Sequence, residues 1–266
     1  MPKFYDKKII VSGNVVELYE YELPVVKSDR PLRIGRAGQT ATNEETKRSN
    51  REKVAARARQ KVRRYANANF SNKSKFITLT FADNVIDLKT ANREFVKARK
   101  RLARFLKMPL EYIAVPEFQK RGAVHYHMLM NCPYIENKTL ARLWARGFVK
   151  INAIDKVDNI GAYITKYMTK NGLDERLAGQ KSYFMSHNLK APEVTTDSET
   201  IAEVLADMNV KRVACSSSFD SDYYGAICYT QFILNTPLSL AEYRKPPATS
   251  KGLPPLWRKQ FAPLPN

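Results

Sequence analysis

The stretch YIAVPEFQKRGAVHYHMLMNC, residues 112–132, decides how this chain is read. On either side of KRGA the residues are mostly β-branched, aromatic or long and apolar. The stretch therefore reads as two strands joined by a turn that Gly122 eases. His125 and His127 are two apart, so on a strand both imidazoles point to one face and can reach one ion. The chain has only 3 histidines in 266 residues, which makes the pair conspicuous. An odd loop turns Glu117, on the preceding strand, to that same face, whereas an even loop turns it away. With Arg121, Gly122 and Ala123 as a three-residue loop, Glu117 stands opposite His127. Pro116 cannot donate to a ladder and points to an edge position or a bulge in the first strand. Two nitrogens and one oxygen suit Mn²⁺, Co²⁺, Zn²⁺ or, more weakly, Mg²⁺. Taken alone, the same spacing also fits two ordinary strand histidines.

Working outward, KFITLTFAD (75–83) reads as a central strand with one slightly polar face, on which Thr78 and Thr80 lie. DLKTANREFVKARKRLARFLK (87–107) is the clearest helix, capped by Asp87. Leu88, Ala91, Phe95, Ala98, Leu102 and Phe105 form its buried stripe, and its outer face is basic. Downstream, residues 138–145 read as a short helix and 147–154 as a strand. Residues 158–172 read as a helix ended by Asn171-Gly172. Towards the N-terminus, residues 8–22 form two strands around Ser12-Gly13-Asn14, and 28–39 form a Gly, Arg and Pro-rich loop. Residues 182–193 read as irregular, 198–208 as a helix, 223–234 as a strand, and the Pro-rich end as a flexible tail. The expected organisation is an N-terminal hairpin and loop (1–43), a main domain (44–245, motif core 75–172) and a tail (246–266).

Charge narrows the partner. Lys and Arg number 45 against 26 Asp and Glu, a formal net charge of +19. Such an excess favours a polyanion, because each neutralised phosphate releases condensed counterions. Much of it sits in EETKRSNREKVAARARQKVRRYAN (44–67). There Val54, Ala58, Val62 and Tyr65 leave one thin apolar face on an otherwise basic helix. Like charges this dense repel each other on an unoccupied helix. Arg48, Arg51, Arg57, Lys61 and Arg64 are therefore expected to contact DNA, with Arg121 at the hairpin turn. No apolar run approaches a membrane span, and MPKFYDKKII has no secretory stretch, so a cytoplasmic protein without membrane partners is expected. Cys132, Cys215 and Cys228 suggest neither a zinc pattern nor a disulfide framework. No Walker-type loop is present.

The last motif is GAYITKYMTK (161–170). Tyr163 and Tyr167 are helical neighbours, Lys166 and Lys170 each follow a tyrosine by three, and the four fall within an arc of roughly 100°. Ile160, Ile164 and Met168 lie on the adjoining arc and can anchor the helix. A phenol with a pKa of about 10 is a poor nucleophile until deprotonated; a nearby ammonium or a metal-polarised electrophile lowers that cost. Both tyrosines can equally be amphipathic packing groups.

The order FITLTF, E-x7-H-Y-H and YITKYMTK resembles the three motifs of the HUH endonucleases. More narrowly, it resembles rolling-circle replication initiators of small plasmids and single-stranded DNA phages, including the filamentous-phage gene II type. The likeness runs over roughly residues 76–170 and extends softly to SHNLKAPE. It implies an α+β fold with an antiparallel five-stranded sheet and flanking helices around an RRM- or ferredoxin-like core. It implies Glu117, His125 and His127 as ligands of Mn²⁺ or Mg²⁺, Tyr163 and Tyr167 as nucleophiles, and Lys166 and Lys170 as their partners. Thr78 and Thr80 would lie near the DNA, with the helices 44–67 and 87–107 flanking a single-strand groove. The implied activity is nicking and religation of single-stranded or hairpin origin DNA through a 5′-phosphotyrosine, leaving a 3′-hydroxyl for a host polymerase. A host helicase would unwind. Two other readings remain open at this point: a non-catalytic single-strand-binding module using Phe76, Phe118 and Tyr126, and a relaxase or transposase of the same chemistry. His187, some sixty residues on, reads as a loop residue rather than a third histidine ligand.

Overall fold

The computed structural model describes residues 3–27, 43–169, 175–177 and 179–243. In chain order its elements begin with β1 (Lys3–Ser12), β2 (Val15–Lys27), α1 (Glu44–Asn69), β3 (Lys75–Thr80), α2 (Leu88–Leu106), β4 (Glu111–Phe118) and β5 (Val124–Asn131). They continue with α3 (Asn137–Trp144), β6 (Val149–Ala153), α4 (Ile160–Thr169), β7 (Phe184–Met185), β8 (Glu193–Thr195), α5 (Ser198–Asp207), β9 (Val210–Ser221) and β10 (Gly225–Leu234). The fold is α+β, and the described residues form two antiparallel five-stranded sheets.

The sheet that carries the histidines runs β6-β3-β5-β4-β7. From β3 to β6 the order is β-α-β-β-α-β, a split arrangement with the ferredoxin-like neighbour pattern. Period-two alternation gives the sheet two different faces. Ile77, Leu79, Tyr126 and Met128 pack with Phe95, Ala98 and Leu102 of α2 and with Leu140 and Trp144 of α3. Phe76, Ile113, Val115 and Leu129 point the other way, to Val62 and Ala66 of α1 and to Ile160, Ile164 and Met168 of α4. Asp87 caps α2 by accepting from the backbone N–H of Lys89 and Thr90.

The second sheet runs β8-β1-β2-β10-β9. The β1–β2 hairpin turns at Gly13, whose φ of 61° is left-handed. Ile9, Val11, Val16 and Leu18 face Ile201 and Val204 of α5. The other face receives α1: Arg63 and Arg64 pair with Glu17, which is 1% exposed, at 2.8 and 2.5 Å. Helix α1 thus lies between the two sheets.

Several expectations need correction. The loop of the central hairpin is 119–123, five residues rather than three, so Glu117 faces His125 and Val115 faces His127. Five is also odd, so Glu117 keeps its face. The backbone N–H of Gln119 donates to Ala123 O, and that of Gly122 to Gln119 O, which closes the longer loop. Helix α2 covers the face opposite the histidines, because its stripe meets Ile77 and Met128. Only α1 of the two basic helices lies on the histidine side. Phe105 is exposed (48%); the fully buried stripe ends at Leu102, and Leu106 rather than Phe105 packs against the core beyond it. On α1 the buried stripe begins only near Ala58, and Val54 is 64% exposed. Strand β9 was not foreseen, nor was the joining of the N-terminal hairpin to the β9–β10 hairpin in one sheet. The segment 182–193 contains β7 and the start of β8. Pro116 lies beyond the two residues of β4 that pair with β7, so its missing N–H faces no strand partner. Three expectations fall outside the described residues: the 28–39 loop, the Asn171-Gly172 helix end and the 246–266 tail. Among the described residues no helix is long and apolar enough to cross a membrane. The three cysteines are free, Cys132 partly buried and Cys215 and Cys228 exposed.

Candidate active site

The register of β3, β5 and β4 assembles the site. Thr78 stands opposite His127, Thr80 opposite His125, and His125 opposite Glu117. All five side chains share the face on which α4 packs. His127 Nε2 meets Glu117 Oε2 at 2.5 Å, and its Nδ1 lies 3.3 Å from Thr78 Oγ1. His127 is 5% exposed. Both of its ring nitrogens are engaged, which fixes the imidazole in orientation.

His125 differs. Its Nε2 is buried and meets no hydrogen-bond partner. Burial, with His127 beside it, pushes its pKa down from 6.5 to about 4, so the ring is neutral at physiological pH. A neutral imidazole nitrogen without a partner is a donor to a cation.

Helix α4 brings the tyrosines over this face. The Tyr167 ring stacks on His127, centroids 3.7 Å apart at 21°. Phe76 fills the floor, 4.9 Å from Tyr163 edge-on and 5.5 Å from Tyr167. Lys166 Nζ sits over the face of Tyr163, 3.8 Å from its centroid, and 4.9 Å from that of Tyr167. Burial, then the neighbouring Tyr163 and Glu117, push the Tyr167 phenol well above the ordinary range. As it stands, Tyr167 is a protonated phenol.

Two asparagines fix where α4 starts. Asn159 Oδ1 accepts from the backbone N–H of Ala162 at 2.9 Å, and the Asn67 amide donates to the same oxygen. Asn67 Oδ1 accepts from Gly161 N at 2.6 Å. A Cβ at Gly161 would lie 2.2 Å from Arg63 O, so the α1–α4 crossing needs glycine there. Asn159 also reaches Gln231, which donates to Tyr229, which donates to Glu17. Polar contacts therefore run from the second sheet to the first turn of the tyrosine helix.

Each expected residue can now be located. Glu117, His125, His127, Thr78, Thr80, Tyr163, Tyr167 and Lys166 converge; Lys170 lies outside the described residues. Arg51, Arg57 and Lys61 are exposed along α1, as is Arg48, which pairs with Glu52. Arg64 is committed to Glu17 and Tyr19, so it does not present a free guanidinium to solvent. Arg121 is exposed at the hairpin tip and donates to Phe81 O. His187 is an exposed loop residue. Phe76, Phe118 and Tyr126 are buried (1%, 8% and 0%), so none offers a face to a base. Sequence reasoning missed the placing roles of Asn67, Asn159 and Gly161; a lone glycine in the first turn of a helix was the available signal.

Residues 74–172 match the family model described as replication-associated protein ORF2/G2P. That segment runs from the start of β3 past the end of α4 and takes in all the converging side chains, though it is well under half of the chain. The match supports a role in the initiation of replication. No curated protein and no solved structure matches the chain.

The donor set bears on a metal. Among the described residues, no three His, Cys, Asp or Glu side chains are gathered as a metal-holding group. Glu117 spends an oxygen on His127, and the two histidine rings are 6.3 Å apart. The chemistry of the set nevertheless fits a divalent ion: one carboxylate and two imidazoles on one face, one nitrogen buried without a partner.

Proposed function

We propose that this chain is a replication initiator that nicks and rejoins single-stranded origin DNA by tyrosine attack. The observation that carries the reading is the stacking of Tyr167 on His127, with Glu117 on the same imidazole. A nucleophile helix pressed against a carboxylate–histidine face is what phosphodiester transfer needs. The family match over the same segment supports it.

In this reading Tyr163 or Tyr167 attacks phosphorus. The Oη–P bond forms and the P–O3′ bond breaks. The phenol loses a proton and the leaving 3′-oxygen takes one up, giving a 5′-phosphotyrosine and a free 3′-hydroxyl. Attack by a 3′-hydroxyl reverses the step, so joining needs no nucleotide. A divalent ion (Mn²⁺ or Mg²⁺) held by Glu117, His125 and His127 would polarise the phosphodiester. Thr78 keeps His127 aimed at Glu117, and Lys166 brings positive charge to both phenols and to an incoming phosphate. Arg51, Arg57 and Lys61 on α1 supply attraction for the DNA backbone. A host helicase and polymerase would act on the product.

The test is a covalent-adduct assay. The protein is mixed with labelled single-stranded origin candidates in Mn²⁺ or EDTA, and any adduct is located by peptide mass spectrometry. A metal-dependent adduct on Tyr163 or Tyr167 is expected, absent from the Tyr163→Phe/Tyr167→Phe variant. Binding that persists in EDTA with no adduct on any candidate would instead mean a non-catalytic binding module.

A further inference from the structure

The second sheet carries a tyrosine array that the nicking site does not use. Strands β1, β2 and β10 alternate, and the face turned toward α1 bears Glu17, Tyr19, Tyr21 and Tyr229. Tyr5 meets Tyr21 edge-on at 5.8 Å, and Tyr21 meets Tyr224 at 5.8 Å. Tyr19 lies 5.0 Å from Tyr229. Lys8 Nζ sits 4.7 Å from the Tyr19 centroid and 5.8 Å from that of Tyr21. The five tyrosines and the lysine are each only partly buried.

Packing alone does not account for this surface. The cluster under α5 is on the opposite face, where Ile9, Val11, Val16 and Leu18 lie, and on the tyrosine face the buried apolar residues are Ile10, Val15, Ile227 and Ile233. Near the α1 end, Tyr19 and Tyr229 are tied down by Arg64 and Glu17. Tyr5, Tyr21 and Tyr224 extend the row beyond that anchor. Alongside runs α1, whose Arg57 and Lys61 are exposed. A row of aromatic rings with a lysine among them, flanked by a basic helix on a chain of +19, is complementary to one kind of polymer. Bases that are not already stacked on neighbours can lie on tyrosines while their phosphates meet Lys8, Lys61 and Arg57. Duplex DNA hides its base faces and gains only the charge.

We propose that the face of the second sheet formed by Tyr5, Lys8, Tyr21 and Tyr224 is a second binding site for single-stranded DNA, across α1 from the tyrosine helix. It deepens the proposed function and rests on that reading for the identity of the strand. The site would hold the strand without sequence preference, because every base has a π-face.

The test uses the full chain carrying Tyr163→Phe/Tyr167→Phe, so that binding is read without cleavage. A labelled 20-mer of dT and a labelled 20-base-pair duplex are titrated at fixed salt. Tyr21→Ala/Tyr224→Ala is expected to weaken the dT 20-mer about tenfold or more, with the duplex changed less than twofold. Tyr21→Trp should restore binding, since stacking needs a ring and not a hydroxyl. Circular dichroism and a melting curve check that the variants fold. In case the double variant does not, ultraviolet crosslinking of the parent chain to the dT 20-mer is mapped by mass spectrometry. Crosslinks in 3–27 or 223–230 are expected. Crosslinks confined to 74–172, or equal dT affinity in a folded double variant, would overturn the proposal. The adduct assay on the wild-type chain reads the nicking reaction separately. Loss of dT binding in the double variant, with no adduct in the wild type, would uphold this face and sink the nickase.

Discussion

His125 is held neutral by its surroundings, and that has a consequence for pH. Its folded pKa is about 4 against an ordinary 6.5. Between those values the unfolded chain binds a proton that the folded chain does not. Folded stability therefore falls as pH drops from about 6.5 towards 4. Thermal melts in EDTA from pH 7.5 to 4.5 should show a falling midpoint, and His125→Gln should flatten that slope. An equally steep slope in the variant would assign the effect elsewhere. Thr78 acts through His127: with its hydroxyl 3.3 Å from Nδ1, Thr78→Val frees the ring to turn. Cleavage should fall about tenfold or more with the adduct still on the same tyrosine, as for other residues that orient a ligand. His127→Ala should abolish cleavage outright and leave DNA binding in place.

At the scale of elements, α4 is set by how closely it approaches α1. Gly161→Ala puts a methyl 2.2 Å from Arg63 O, a backbone atom that cannot swing away. The helices must part, at a cost of about 1–3 kcal/mol in a denaturant titration. The tyrosine adduct should drop with it, because the rings stacked over Phe76 and His127 move too. What sequence alone revealed follows the same logic. The strands and helices of 75–169 were legible because each turns one apolar face to the core, wholly or partly buried, so apolar residues recur at the period of the element. The shared face of Glu117, His125 and His127 was legible from parity, but the register was not, since three- and five-residue loops give the same parity. Strand β9 was invisible: its residues are nearly all exposed on both faces, so KRVACSSSFDS carries no alternation. The basic run of 44–67 read as one uniform surface, yet Arg63 and Arg64 turn inward. Their partner Glu17 is more than forty residues away, beyond any local pattern.

Across the whole molecule, two sheets share one helix, and Glu17 is the joint. It accepts from Arg63, Arg64 and Tyr229 with 1% exposure. Removing one partner of a buried ion pair leaves uncompensated charge, a larger loss than the pair's own net worth. Glu17→Ala should lower unfolding stability by about 3 kcal/mol or more in urea, and Glu17→Gln by less. If stability is unchanged in both, the two sheets are not joined through this carboxylate.

Part of that joint is also late in biosynthesis. Strand β2 pairs Val15 with Ile233, and β10 supplies the Gln231 and Tyr229 that reach Asn159 and Glu17. At about 5–20 residues per second, the ribosome needs roughly ten to forty seconds after making the first hairpin before it makes the strand that completes the sheet. The strands of the histidine face and the tyrosine helix emerge well before then. A nascent chain thus holds every reacting side chain before it holds the β10 part of the brace behind them. Release of a message truncated before residue 225 would yield a protein with the tyrosines and histidines of the nicking site but without the Gln231 and Tyr229 contacts to Asn159 and Glu17.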